Sequence, residues 1–95
     1  MILVELKAKR EAIIHLASQY GASNVLIFGS VAHGVEREDS DIDLLVDFEP
    51  GRSLLDHAGL MLALEEMLGR HVDIGTTRGL LPTYRESILH EAIPL

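Results

Sequence analysis

Apolar and charged residues alternate along this chain with two distinct periods. From residue 3 to 20, Leu6, Ile13, Ala17 and Tyr20 fall near one stripe at helical spacing, and Gly21 is a natural stop. Residues 24 to 28 form a short apolar run that predicts a strand, and a single helical turn is expected over 30 to 34 with Ser30 as its N-cap. The charged segment from Gly34 to Ser40 is expected to be a loop. Residues 41 to 48 switch to period two: Asp41, Asp43, Leu45 and Asp47 take one face, and Ile42, Leu44, Val46 and Phe48 take the core face. After a turn at Glu49-Pro-Gly-Arg52, Ser53 and Asp56 signal a capped helix running to Leu68, with Gly69 beyond its end. His71 to Gly75 predicts a third strand, and Pro82 opens a last helix to Ala92.

The order helix, strand, strand, helix, strand, helix predicts an α/β (α+β) fold, a small mixed sheet covered by helices. Too few residues separate the first two strands for a helical crossover, so they are expected to pair antiparallel. The third, returning after a long helix, is expected to run parallel to its neighbour. Residues 1–95 read as one domain, without repeat or linker.

Composition narrows the picture. Hydrophobic residues make up 47% of the chain but aromatics only 4%, so the core must be aliphatic. Without cysteine there is neither a disulfide nor a zinc-thiolate site. Lys7, Lys9 and Arg10 follow the first apolar residues instead of preceding them, which is not a secretory pattern. The apolar run Ala58 to Ala63 is far short of a membrane span, and the expected location is cytoplasmic. A net charge of −7 argues against direct nucleic-acid binding and suits a basic protein partner. The helix after Ser53 is apolar nearly all round, so either another chain or the terminal helices must cover part of it.

Asp41 and Asp43 carry the chemistry. Carboxylates at i and i+2 on a strand originate roughly 6.5–7 Å apart on one face. A cation with oxygen ligands at about 2.0–2.1 Å fits between them. Without one, two unit charges ~5 Å apart repel by ~3 kcal/mol at an effective dielectric near 20. Asp73, on the third strand with the same alternation, could supply a third carboxylate, and His71 shares its face. A calcium loop starting at Asp39 is rejected, because its sixth and twelfth positions hold Leu44 and Pro50 instead of Gly and Glu.

Gly29 permits close approach of an anion, the amides of a turn at Ser30 can face phosphate, and His33, within that segment, is the histidine expected to touch phosphate. No Gly-Lys-Ser/Thr phosphate loop occurs. His15, His57 and His90 lie on expected helices with no ligand-type partner at i+4 and read as surface or boundary residues.

Gly29-Ser30, ten intervening residues, then Asp41-Ile-Asp43 resembles the signature of the nucleotidyltransferase superfamily that includes DNA polymerase beta. The short length and the flanking Val-Ala-His-Gly and Ser-Asp-Ile-Asp-Leu-Leu-Val resemble its minimal members, the antitoxins of HEPN/MNT toxin–antitoxin pairs. The resemblance implies that Asp41, Asp43 and Asp73 ligate Mg2+ or Mn2+, with Asp73 also deprotonating the acceptor. It implies that Gly29 and Ser30 hold the phosphates of ATP. It further implies transfer of AMP to a hydroxyl, a tyrosine's, on a HEPN ribonuclease within a hetero-oligomer. Where that group commonly has Arg after the Ala, this chain has His33, whose imidazole grips a triphosphate less firmly. Two other readings stand beside this one. The domain could inhibit its partner by contact alone, or it could nucleotidylate a small molecule.

Overall fold

The computed structural model describes residues 2–34 and 40–95. The expected charged loop therefore lies, apart from Gly34 and Ser40, outside the described residues. The expected first helix is split at Lys9 (φ −100°, ψ 14°) into α1 (Ile2–Ala8) and α2 (Arg10–Gln19). Strand β1 (Ala22–Phe28) leads into the short helix α3 (Gly29–His33), and β2 spans Ile42–Phe48. Helix α4 (Leu54–Leu68) and strand β3 (Val72–Thr76) follow. A 3-10 turn (Thr77–Gly79), α5 (Pro82–Glu91) and the two-residue strand β4 (Ile93–Pro94) complete the order.

The sheet order is β3-β2-β1-β4. β1 and β2 are antiparallel and β2 and β3 parallel, as the connection lengths require, with Asp43 opposite Asp73. β4, which the sequence pattern did not reveal, pairs antiparallel with β1 through Leu26 and Ile27.

One aliphatic core lies between the helices and one sheet face. It holds Leu6 of α1, Ile13 of α2, Val31 of α3, Leu60 and Leu64 of α4, and Ile27, Ile42, Leu44, Val46 and Val72 from the strands. Each fully buried Leu, Ile or Val contributes about 1.5–3 kcal/mol. Among the described residues no polar or charged side chain is buried. The core face of β2 is therefore the expected one. Leu45, expected beside the aspartates, is nevertheless fully buried on the opposite face. It sits between Leu26 and Gly75, its register partners, and Gly75 leaves space for it.

Helix α4 has the expected cap: Leu55 N–H donates to Ser53 Oγ at 3.2 Å, and Ser53 N–H to Asp56 Oδ2 at 3.0 Å. Its apolar surface is only partly covered. Met61, Met67 and Leu68 pack on the core, whereas Leu54, Leu55 and Leu62 stay exposed. Ser30, in contrast, is not an N-cap. The turn begins one residue earlier, the cap position falls on Phe28, and no side chain caps it. No helix is long and apolar enough to cross a membrane, among the described residues.

Candidate active site

Pairing β2 parallel to β3 brings the starts of both strands to one end of the sheet, beside the end of antiparallel β1. Asp41 and Asp43 sit at the start of β2, His71 and Asp73 at the start of β3, and Gly29 follows the last residue of β1. Ligand atoms of Asp41, His71 and Asp73 all lie within 4.8 Å of one another. Atoms around an octahedral ion at about 2.1 Å stand ~3 Å apart when adjacent and ~4.2 Å when opposite. Small rotations of these exposed side chains would close the difference, so the donor set fits a divalent cation.

Asp43 is half-buried between this cluster and Gly29. Burial, then the charges of Asp73 and Asp41, push its carboxyl above the usual carboxylate range, with His71 opposing. A carboxylate in this environment is stabilised by added positive charge. Gly29 has φ +73°, and a Cβ there would collide with Asp43 Oδ2. Glycine is therefore required twice over, by backbone conformation and by the closeness of the acid.

Glu65, which sequence reasoning missed, joins the site from the last turns of α4. Its Oε2 accepts the Val72 N–H at 3.0 Å and lies 2.6 Å from His71 Nδ1. His71 Nε2 faces Asp73 Oδ1 at 3.2 Å. Desolvation pulls the His71 pKa down, but the charges of Asp41, Asp73 and Glu65 outweigh it and raise the imidazole above its ordinary value. The available signal was the tight return at Gly69 (φ +66°), which folds the end of α4 back on the start of β3.

The expected phosphate-binding residues are distributed differently. Gly29 and Ser30 open α3, and Gly29 abuts Asp43. His33 ends α3 and pairs with Glu91 of α5 at 3.2 Å. His15 and His90 are exposed, as expected. His57 is a boundary residue that donates Nε2–H to Ile74 O at 2.6 Å and tilts against Phe48.

Known proteins resemble this chain in sequence and in fold. The profile of a family described as nucleotidyltransferase domain covers residues 9–95. MJ0435 of Methanocaldococcus jannaschii, which carries a provisional protein adenylyltransferase name, is 42% identical over 98% of this chain and 97% of its own length. Protein adenylyltransferase MntA of Thermococcus cleftensis is 37% identical over 82% of this chain and 79% of its own. A solved structure described as a minimal nucleotidyltransferase superposes with TM-score 0.88 at 60% identity, covering 98% of this chain and 95% of that one. A toxin–antitoxin crystal structure with AMP-PNP shares the fold at TM-score 0.74 and 21% identity, over 88% of this chain and 69% of that one. The chain thus belongs to the nucleotidyltransferase domain family and is a nucleotidyltransferase with the minimal form of that fold.

Proposed function

We propose that this chain, acting as a single domain over residues 1–95, is a protein adenylyltransferase antitoxin. It transfers AMP from ATP to a tyrosine hydroxyl of a cognate HEPN ribonuclease toxin in the cytoplasm and so silences it. The observation that carries this reading is the clustering of Asp41 and Asp73 with His71 at the end of the sheet where Asp43 lies opposite Asp73 and against Gly29. The names of the two relatives support protein adenylylation specifically.

In this account Asp41, Asp43 and Asp73 hold Mg2+ or Mn2+. Held there, such an ion would supply charge neutralisation to the triphosphate and to the reacting oxygens. Asp73 takes the proton of the acceptor hydroxyl. The tyrosine oxygen forms a bond to the α-phosphorus, the bond from that phosphorus to the bridging oxygen breaks, and pyrophosphate leaves. Gly29 and Ser30 open the turn that holds the β and γ phosphates, with the Ser30 amide and hydroxyl donating to their oxygens. His33 lies at the far end of the same turn as a phosphate contact.

The test is intact-mass measurement of the partner after incubation with ATP and Mg2+. Wild-type protein adds adenylyl units, and Asp41→Asn adds none while keeping its circular dichroism. Unmodified partner with wild-type protein overturns the reading. His33 favours a second one, inhibition by contact alone, because an imidazole paired with Glu91 stands where the resembled group commonly has an arginine. Full neutralisation of the toxin by an Asp41→Asn/Asp43→Asn double variant would select contact over transfer.

A further inference from the structure

We propose that His71 is itself a metal ligand, held in place for that role by Glu65, and that the resulting site takes Mn2+ in preference to Mg2+. The inference deepens the reading above and rests on it only for the presence of a divalent ion. Three carboxylates alone make an all-oxygen site suited to Mg2+. Here an imidazole nitrogen belongs to the same cluster, within 4.8 Å of the Asp41 and Asp73 oxygens.

The arrangement around His71 is that of a ligand held from behind. Glu65 Oε2 is anchored by the Val72 N–H at 3.0 Å, so its position is tied to the start of β3. From there it occupies His71 Nδ1 at 2.6 Å. That contact assigns the Nδ1 proton and turns Nε2 inward, to 3.2 Å from Asp73 Oδ1. Metal-bound histidines characteristically give their other ring N–H to a carboxylate, which fixes the tautomer and makes the coordinating nitrogen more basic. The imidazole is about half exposed (55%), so an ion can reach it without rearrangement of the fold. A nitrogen donor among carboxylates shifts preference from Mg2+, which demands oxygen and retains water, towards first-row transition ions. Glu65 is a positioning residue in this scheme, acting only through His71.

The experiment uses Mn2+ alone, with neither nucleotide nor partner, and pulsed electron paramagnetic resonance. Wild-type protein is expected to show nitrogen coupling from a directly bound imidazole. His71→Gln loses the coupling and weakens Mn2+ about tenfold or more, while Mg2+ affinity changes far less. Glu65→Gln keeps the coupling and weakens Mn2+ by about tenfold, within the range known for such supporting carboxylates. Wild-type Mn2+ spectra without nitrogen coupling overturn the inference, and so does an equal loss of Mn2+ and Mg2+ affinity in His71→Gln. The wild-type measurement does not depend on any variant folding. Because no transfer is involved, a missing nitrogen signal leaves the adenylylation reading standing, and a failure of adenylylation leaves the nitrogen signal to be seen.

Discussion

Asp43 and Asp47 lie four residues apart on the same face of β2, yet the fold treats them in opposite ways. At the Asp47 end the carboxylate is fully satisfied: Thr77 donates its hydroxyl to Oδ1, and Asn24 donates its amide to Oδ2 at 2.9 Å. Those two bonds, and then Arg78 and Arg85, hold its carboxyl below the usual range despite some desolvation. At the Asp43 end, burial comes with two further carboxylates, and the pKa moves up. The same residue type therefore serves as a structural clasp at one end and as a stored charge deficit at the other. The difference lies in partners: donors cross from β1 and the 3-10 turn to Asp47, whereas Asp43 meets Asp73 from β3 and Asp41 at the start of its own strand.

The largest expected effect comes at the acidic end. Asp41→Asn should cut adenylyl transfer by at least about a hundredfold, the scale on which losing one electrostatic stabiliser of a transition state is felt. Steady-state transfer followed by mass measures it. Gly29→Ala comes next, because φ +73° and the Asp43 carboxylate both oppose a side chain. A loss of about 1–3 kcal/mol is expected in denaturant unfolding.

At the clasped end, Thr77→Val should cost about 1 kcal/mol, the net worth of one hydrogen bond plus the lonely acceptor it leaves. The pH dependence follows from the sign of the shift. A carboxyl whose folded pKa is lowered stabilises the fold above its unfolded value, near 3.9, and that stability disappears as pH falls through the folded value. Asp47→Asn should therefore flatten the acid limb of a plot of stability against pH.

Asp43 has the opposite sign. A raised folded pKa means that ionisation opposes folding, so its favourable contribution is present below about pH 3.9 and is lost as pH rises through the folded value. The smallest effect is accordingly a slight increase in melting temperature for Asp43→Asn at neutral pH without metal, with a weaker response to added Mn2+. Calorimetry at matched pH distinguishes this from the destabilisation expected at Asp47.

The asymmetry was half visible in the sequence. Alternation along residues 41–48 placed three aspartates on one face, and the connection lengths fixed the antiparallel and parallel pairings, because chain reach leaves few alternatives. What distinguishes Asp47 from Asp43 was not visible. It depends on Asn24, held at φ +52° where the β1–β2 register shifts, and on Thr77 thirty residues away. Glu65 stayed hidden because its helix reads as apolar packing, and its role exists only once Gly69 reverses the chain. Leu45 looked like a surface position because its neighbours on the strand face are acids, whereas the missing side chain of Gly75 gives it room to pack beside β3. β4 is two residues long, one of them proline, and offers no periodicity at all.

The most direct test is a carbon-detected NMR titration of the Asp43 and Asp47 carboxyl groups, with and without Mn2+ replaced by diamagnetic Mg2+. Asp43 should titrate well above Asp47 in the free protein, and the cation should bring Asp43 down while leaving Asp47 where it was. Equal titration of the two carboxyls, or a cation that moves neither, would contradict the division of labour along β2.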